Sequence, residues 1–579
     1  MLDVIESKDE GPYYPHVAAR LDETGYRFFA GRVAGEKSFS DLPVGHPVAS
    51  RAAEDWQFEG DEPGGSWIAL KYDRQRDVIS IASDVFLFQR WYYSHIGGRW
   101  YFSNSLMFLH HVADPKPPIE ERSVPYMLLL NYLPERYTPL KDVFSVRPGQ
   151  CLTVRDGVGV LEQRVALPFE RTADEVFAGE DPNALKARIV GEALSVLREA
   201  VASELEGLSE ITIPISGGMD SRFMLGCALE GIPRDRITTY TYGRPSSRDF
   251  QIGIGLAQSL GLRNLKLPMD LRPLEQILKD GFFNSEGMKL AIQNSPLGPQ
   301  REVLPPGTHV LSGFLGDTMW GVEDIKRARD LAVHGDMGEH LVRLVLARAL
   351  TTSVAEVQPL LTTENWDVLN YREAIRALPG ATLEERYSRW YALDRDTNRV
   401  NFGIQVHRDR AFYLAPNVHA RVVRFAHGMP VQLRRAGIAY FNALKSGFPE
   451  LYNFPTTRNF GYPLERDVHW RRRILRRWGM AISQIERIVF RCSGELFYYP
   501  AMGHQYAHPL EYHKKRYRAD VLRCLEEVQP MSILDPRGIA KLRDAYDHRR
   551  YHSAQLVKAL VTIQQWQKYY RNDVSGGRR

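Results

Sequence analysis

The chain has 579 residues, which is too many for one hydrophobic core, so two or three domains are expected. Its 75 basic and 70 acidic residues give a net charge of +5, too small for its length to indicate a nucleic-acid binder as a whole. Hydrophobic residues make up 44% of the chain, as in ordinary globular proteins, which excludes low-complexity and fibrous classes.

The cysteines give no sign of a disulfide scaffold or a structural zinc site. They are scattered, contain no CxxC pair and favour a reducing compartment; they are Cys151, Cys227, Cys492 and Cys524. The first ten residues are acidic and lack the apolar segment of a secretory signal. Apolar runs are far shorter than a membrane span. We therefore expect a cytoplasmic protein that does not cross a membrane.

Residues 1–165 have the pattern of an antiparallel β domain. Short apolar and aromatic runs alternate there with turns that contain Gly or Asp. The predicted strands are residues 66–72, 78–82, 91–94, 100–102 and 151–154.

Strands and helices alternate from about residue 183, which predicts a parallel sheet with helices on its faces. The predicted strands are residues 211–215, 237–242 and 309–311, and the predicted helices are residues 185–205, 221–230 and 249–260. Helices dominate afterwards. We expect an α/β domain at residues 183–465 and a basic helical extension at residues 466–579. Within the extension, residues 470–478 are rich in Arg between two Trp, a pattern typical of a solvated helix face or of a surface for an acidic partner or tRNA.

The loop after the first of these strands, at residues 216–221, has the composition of a phosphate-binding turn. Its glycines let the backbone approach an anion without a Cβ in the way, and the following helix offers unpaired N–H groups. Asp220 cannot bind the phosphate directly, because two negative groups repel each other. Its carboxylate is instead suited to bind a hard Mg²⁺ ion that also binds the phosphate. The alternative is a Gly-Gly turn capped by Asp220 that binds nothing. The loop consists of Ser216, Gly217, Gly218, Met219, Asp220 and Ser221.

A second turn with glycines follows the apolar segment at residues 309–311. It contains Ser312 and Gly313, and then the acid Asp317. Acids after two strands of one parallel sheet face the same crevice, where open α/β sheets bind ligands. We therefore expect Asp220 and Asp317 to hold one Mg²⁺ with the triphosphate of ATP, and Tyr242 to contribute to the nucleotide site. The alternative for Asp317 is a helix N-cap.

Together these motifs resemble the synthetase domain of the asparagine synthetase family, whose relatives include β-lactam synthetases and lasso peptide cyclases. Residues 216–221 match the family's SGGxDS loop, which binds the pyrophosphate of ATP. Ser312, Gly313 and Asp317 match its later SGxxxD segment, which supplies a second acid to the metal. The resemblance covers roughly residues 60–465. It implies an α/β PP-loop (adenine nucleotide α-hydrolase-like) synthetase domain, a degenerate Ntn-type, β-rich glutaminase-like domain before it, and a helical C-terminal extension.

The departures from the family pattern concern the nitrogen donor and the acceptor. Family members that hydrolyse glutamine use a cysteine at position 2, where this sequence has Leu2. Because the thioester requires a thiolate, the resemblance implies an inactive glutaminase domain, unless translation begins at another codon. Phe314 and Thr318 replace acids that many asparagine synthetases carry. Arg458 and Lys445 are the two candidates for the positive charge of the family's downstream lysine, and each is alternatively a solvated surface residue.

The resemblance implies an ATP-dependent carbon–nitrogen ligase. A small-molecule or peptide carboxylate would become an acyl-adenylate with release of pyrophosphate, and an amine would then displace AMP. The enzyme is expected to work without its own glutamine hydrolysis, as a homodimer or with a biosynthetic partner protein. Alternatives are a lasso-peptide or β-lactam-type cyclase, a scaffold that retains only the fold, and a tRNA-modifying ATP pyrophosphatase. Members of the last class that transfer sulfur usually need paired cysteines, which are absent here.

Overall fold

The computed structural model describes residues 17–22, 25–33, 65–163, 179–245, 247–292, 297–321, 336–363, 369–404, 411–459, 461–465, 516–548 and 554–570. Leu2, Cys492 and the Arg-rich segment at residues 470–478 lie outside them. The expectations about the glutaminase nucleophile and the basic segment therefore stay predictions. Within the described residues, no helix is both long and apolar enough to cross a membrane.

Antiparallel sheets form the N-terminal part, as the alternation of apolar runs and turns predicts. A six-stranded sheet has the order β1-β2-β3-β4-β8-β9, and a three-stranded sheet has the order β6-β5-β7. The strands are β1 (Val17–Asp22), β2 (Gly25–Val33), β3 (Gly65–Asp73), β4 (Val78–Ser83), β5 (Tyr92–Ile96), β6 (Arg99–Ser103), β7 (Val143–Ser145), β8 (Gln150–Arg155) and β9 (Val158–Gln163). Two short helices, α1 (Leu106–Val112) and α2 (Ser123–Leu130), lie between β6 and β7 in the chain.

A five-stranded parallel sheet forms the centre of the following part. Its strands are β10 (Ile211–Pro214), β11 (Ile237–Tyr242), β12 (Arg263–Leu267), β13 (Thr308–Leu311) and β14 (Ala411–Leu414), in the spatial order β12-β11-β10-β13-β14. The first strand in the chain is thus central, with the second on one side and the fourth on the other. In such a sheet the connections leave the central strands in opposite directions, which opens a crevice at their carboxyl ends.

Helices connect these strands and fill the rest of the described chain. Those associated with the parallel sheet are α3 (Pro182–Leu205), α4 (Asp220–Gly231), α5 (Arg248–Ser259), α6 (Leu274–Ser285), α7 (Leu297–Val303) and α8 (Gly316–Met319). Next come α9 (Met337–Ala349), α10 (Val354–Val357), α11 (Leu369–Arg376), α12 (Leu383–Trp390) and α13 (Asn401–Ile404). The remaining helices are α14 (Ala420–Gly428), α15 (Val431–Arg434), α16 (Ile438–Gly447), α17 (Pro449–Asn453), α18 (Arg518–Glu526), α19 (Pro536–Asp547) and α20 (Ala554–Tyr569). A π-helical segment, Tyr391–Val400, joins α12 to α13.

Two large hydrophobic cores hold these elements together. The first surrounds the parallel sheet and includes Phe86 and Phe88 from the N-terminal part. The second joins α2, residues 274–292, residues 341–402 and the C-terminal helices α18 to α20. A buried hydrogen bond also connects the N-terminal part to the π-helical segment, since the Arg90 guanidinium donates to Asn398 Oδ1 at 2.8 Å. The second core therefore contains residues from all three of the regions expected from the sequence.

Candidate functional site

The crevice between β10 and β13 brings together the two segments that the sequence singled out. Thr212 of β10 pairs in register with Val310 of β13. A Cβ placed on Gly313 would lie 2.8 Å from Asp220 Cβ, and one on Gly316 would lie 2.6 Å from Asp220 Oδ1. The Asp220 side chain therefore packs directly against the turn that carries Asp317, and the glycines of that turn leave the space it occupies.

Asp220 and Asp317 each lie in the first turn of a helix rather than at its N-cap. Met219 is the N-cap residue of α4 and makes no capping hydrogen bond through its side chain. Leu315, with φ 59°, is the N-cap residue of α8. The alternative interpretation of Asp317 as an N-cap is therefore wrong, because its carboxylate accepts from the adjacent Thr318 N–H at 2.9 Å inside the helix.

The glycine loop is held by protein groups as well as shaped for an anion. Gly217 N–H donates to Asp249 Oδ1 at 3.1 Å, and Gly218 N–H donates to Ser216 Oγ at 3.1 Å. Two of the N–H groups expected to face a phosphate thus already have acceptors, which a bound pyrophosphate would share or replace. Ser221 Oγ is buried from water and has no hydrogen-bond partner among the described residues. A hydroxyl in that state is suited to receive a phosphate oxygen.

A distant segment, residues 451–459, packs on the outer side of the loop. Thr456 Oγ1 donates to Gly217 O at 2.7 Å, and Thr457 N–H donates to the same carbonyl at 3.2 Å. A Cβ on Gly217 would lie 2.5 Å from Thr457 Cγ2, so the close contact depends on glycine. These contacts of Thr456 and Thr457 with Gly217 were not predicted from the sequence.

Arg222, the residue after the loop, binds residues 451–455 through its buried side chain. Its side chain is fully buried, and it donates to Leu451 O at 3.0 Å, Phe454 O at 2.8 Å and Pro455 O at 2.5 Å. Burial lowers the pKa of the guanidinium to about 10. Sequence reasoning missed Arg222, although an arginine within the apolar run of α4 is the signal that would have found it.

Tyr440 of α16 contributes a phenol to the bottom of the crevice. The ring is fully buried, and its hydroxyl makes no hydrogen bond of acceptable geometry within the described residues. Burial, and after it the nearby Asp220 carboxylate, hold the pKa of Tyr440 well above its usual range, with a smaller contribution from Asp317. Both acids therefore lie near one phenol, which stays protonated and can donate to either of them or to a substrate oxygen.

Asn417, which contacts the Trp320 ring that stacks on Tyr440, also presents an unsatisfied donor. The residue is fully buried, and its Oδ1 accepts from Trp320 Nε1 at 3.2 Å. Its Nδ2 has no partner among the described residues and lies 3.2 Å from the position of a Cβ on Gly316. Buried amide donors without acceptors are rare in folded proteins and point to an acceptor that binds there.

The acid pair fits a magnesium ion by its donor chemistry. Mg²⁺ needs only one or two carboxylates, since water and phosphate oxygens complete its octahedron. Among the described residues no group of three or more Asp, Glu, His or Cys forms a metal-binding cluster. An ion held by protein side chains alone is therefore not indicated, whereas one shared between Asp220, Asp317 and a nucleotide is compatible with the geometry.

Lys445 and Arg458, the two candidates for the positive charge, have different surroundings. Lys445 Nζ lies 2.5 Å from Glu465 Oε1, and the lysine side chain is 51% exposed. Lys445 also lies about 140° around α16 from Tyr440, at 100° per residue. Arg458 is exposed, with its guanidinium 4.3 Å from the centre of the Phe441 ring.

Tyr242 ends β11, the neighbour of β10, and is partly buried with its ring 6.5 Å from that of Tyr240. Ser312, at the end of β13, turns its Oγ to accept from Phe314 N–H at 3.3 Å. Seven of the predicted residues therefore lie at one crevice, namely Ser216, Gly217, Gly218, Asp220, Ser221, Gly313 and Asp317. No protein-family model matches the chain, and a comparison with curated proteins finds no match.

Proposed function

We propose that the chain is an ATP-dependent amide ligase of the asparagine synthetase type, which activates a carboxylate as an acyl-adenylate. The observation that carries this proposal is the contact between Asp220 and the glycines of the second turn, at the carboxyl ends of the central strands. Strand order favours the same location, because a doubly wound sheet binds its ligand where the order reverses.

The phosphates of ATP would lie at the start of α4. The helix dipole and the Ser221 hydroxyl favour an anion there, and the two adjacent glycines let it approach the backbone. Asp220 and Asp317 would hold Mg²⁺. When bound, that ion would neutralise negative charge on the pyrophosphate as it departs.

In the first step, a substrate carboxylate oxygen bonds to the α-phosphorus, and the bond between that phosphorus and the bridging oxygen breaks. Pyrophosphate leaves with the bonding electrons. Tyr440 and Asn417 are placed to donate hydrogen bonds to oxygens that enter the crevice. In the second step an amine attacks the acyl carbon, AMP leaves, and the amine loses a proton. We propose that the amine is ammonia or belongs to a substrate.

The proposal is tested by Mg·ATP binding and by trapping the acyl-adenylate. Hydroxylamine converts an acyl-adenylate to a hydroxamate, so pyrophosphate release is assayed with a panel of carboxylates plus hydroxylamine. Asp220→Asn removes a charge from the crevice, whereas Asp235→Asn removes one from an exposed turn and serves as the matched control.

We expect Asp220→Asn to lower pyrophosphate release by roughly 100-fold or more, because electrostatic stabilisation of this kind has that magnitude. Asp235→Asn should behave as the unaltered protein. Absence of Mg·ATP binding by the unaltered protein, or equal binding and turnover by Asp220→Asn, would contradict the proposal and favour a scaffold that retains only the fold.

A further inference from the structure

The carbonyl of Gly217 accepts three hydrogen bonds on the outer side of the glycine loop. Thr456 Oγ1 donates to Gly217 O at 2.7 Å, and Thr457 N–H donates to it at 3.2 Å. Arg222 Nη2 donates to the same oxygen at 3.4 Å. A carbonyl oxygen has two lone pairs, so these three donors saturate it. Gly217 O is therefore held in one direction by groups from two different parts of the chain.

The fixed carbonyl also fixes the N–H of the next residue. Gly217 O and Gly218 N–H belong to one trans peptide group, in which they point in opposite directions. Gly218 N–H therefore points away from Thr456 and Thr457, and it donates to Ser216 Oγ at 3.1 Å. Gly217 is buried, whereas Gly218 is partly exposed, and a Cβ on Gly218 would meet only Ser216 Oγ. The space beside this N–H is therefore open to a ligand.

Arg222 brings a buried positive charge to this peptide group. Its guanidinium donates to four backbone carbonyls, those of Gly217, Leu451, Phe454 and Pro455. Its Nε–H is buried and has no hydrogen-bond partner among the described residues. The Phe454 ring, with its centre 5.8 Å from the guanidinium carbon, offsets part of the cost of burial. Cations are nevertheless rarely buried without an ionic partner, because removing an ion from water is costly.

The position of Arg222 in α4 adds to this cost. Arg222 is the third residue of the helix, where the positive end of the helix dipole disfavours a cation. The carboxylates beside the loop have other contacts, since Asp249 Oδ1 accepts from Gly217 N–H at 3.1 Å and Asp220 packs against the second turn. Within the described residues, no carboxylate contributes to the pKa of Arg222. An anion at the start of α4 would supply the counter-charge.

We propose that Arg222 is a positioning residue for an anion at the glycine loop. Through Gly217 O it keeps the Gly218 N–H directed at the ligand, and its charge polarises that peptide group so that the N–H becomes a stronger donor. The proposal rests on the part of the proposed function that places phosphates at the start of α4. It requires neither a carboxylate substrate nor an acyl-adenylate.

The test is calorimetric titration of the full-length protein with magnesium pyrophosphate. Arg222→Met removes the charge and its hydrogen bonds, whereas Arg222→Lys keeps the charge. Thr456→Val removes the hydroxyl that orients Gly217 O but keeps the shape of the side chain, and Thr456→Ser keeps the hydroxyl. Arg236→Met removes an equal charge from the exposed turn before β11 and is the matched control.

We expect Arg222→Met to weaken pyrophosphate binding by about tenfold or more, since a hydrogen bond that involves a charged group has roughly this weight. Arg222→Lys should lose less affinity. Thr456→Val should bind pyrophosphate about threefold more weakly, as loss of a neutral hydrogen bond does. Thr456→Ser should restore most of that loss, and Arg236→Met should bind as the unaltered protein. Rescue by serine separates peptide orientation from packing, because serine restores the hydroxyl and not the methyl group.

Urea denaturation shows whether each variant is folded, and the Thr456 pair decides if Arg222→Met is not. Unchanged pyrophosphate affinity in folded Arg222→Met, or equal affinities for Thr456→Val and Thr456→Ser, would overturn the proposal. An unaltered protein that does not bind magnesium pyrophosphate would overturn it as well.

The ligase proposal is tested separately by hydroxamate formation. A protein that binds pyrophosphate with the expected losses in the variants but forms no hydroxamate would contradict only the ligase proposal. Hydroxamate formation together with unchanged pyrophosphate affinities in the variants would contradict only the role of Arg222.

Discussion

Gly217 and Gly218 are adjacent, but a side chain added at each position would meet different surroundings. A Cβ on Gly217 would lie 2.5 Å from Thr457 Cγ2 and 2.7 Å from Asp249 Oδ1. A Cβ on Gly218 would meet only Ser216 Oγ, at 3.3 Å. The first glycine is therefore required for packing of the protein on itself, and the second leaves its space to whatever enters the crevice.

We predict that Gly217→Ala lowers the free energy of unfolding by about 1–3 kcal/mol, as overpacking typically does. Gly218→Ala is the paired control and should unfold within about 0.5 kcal/mol of the unaltered protein, yet bind Mg·ATP more weakly. Urea denaturation and ATP titration measure the two effects. Equal unfolding free energies for the two variants would contradict the assigned packing.

At the residue scale, the sequence predicts the acids and glycines of the crevice better than the residues that pack around them. Asp220 and Asp317 are identifiable because each follows a strand pattern and a glycine turn. Arg222, Asn417 and Tyr440 are not, since each lies within an apolar helix or a loop and acquires its role only from contacts with distant segments. Lys445 shows the converse, because a lysine at a suggestive position pairs with Glu465 on the surface.

Helix α20 combines a role in packing with a buried charge that weakens the fold. Every residue from Leu556 to Gln567 is buried, including Lys558. The pKa of Lys558 falls from 10.5 to about 8, so the folded protein binds this proton more weakly than the unfolded chain does. The stability of the folded state therefore increases as pH rises from about 8 to about 10.5, and the full cost is present below about pH 8.

We predict that Lys558→Met stabilises the protein by roughly 3 kcal/mol at pH 7, from a pKa difference of about 2.5 at 1.36 kcal/mol each. The gain should shrink as pH rises through 8 and disappear near 10.5. Denaturation midpoints at several pH values measure it. Lys568→Met, on the same helix but exposed, should show no such dependence, and a destabilised Lys558→Met would contradict an energetic cost of burying the Lys558 charge.

Elements with a strong period were predicted closely, and irregular ones were not. Residues 237–242 and the helix after the glycine loop agree with the structure to within about a residue. β14 was missed because a four-residue apolar segment does not distinguish a buried strand from a helix. The π-helical segment was missed too, since its hydrogen bonding depends on polar contacts such as that of Asp394 with Tyr371.

Among the described residues, the second core connects residues 92–143 to α20. The Trp566 side chain is fully buried, and its Nε1–H donates to Gly287 O at 2.9 Å. Gly287, at φ +76°, lies against the Trp566 indole. A Cβ added at Gly287 would lie 2.5 Å from Trp566 Nε1. One side chain near the end of the chain therefore supports segments far from it in sequence.

We predict that Trp566→Ala lowers the free energy of unfolding by about 3–5 kcal/mol, as loss of a buried aromatic does. Hydrogen exchange should accelerate not only in α20 but also in α2, which shares its core. Lys568→Met is again the control, because an exposed ion pair contributes little. Faster exchange confined to α20 would show that the C-terminal helices form a separate unit.

At this scale the sequence predicts the classes of the sheets but not their assembly. Alternating strands and helices indicate a parallel sheet, and the antiparallel sheets follow from the short, turn-bounded runs. The order β12-β11-β10-β13-β14 and the joining of α2 to α20 depend on contacts between distant segments, which leave no local pattern. The expected boundary at residue 466 stays a prediction, because residues 466–515 lie outside the described residues.

The long span of the second core has a consequence during synthesis. All eight residues of α2 are buried, yet their partners in α20 begin at Ala554. At about 5–20 residues per second, the ribosome needs on the order of 20–90 s to make the intervening chain. During that time the apolar helix α2 lacks the residues of α20 that bury it, so we expect the nascent protein to depend on chaperones until α20 emerges.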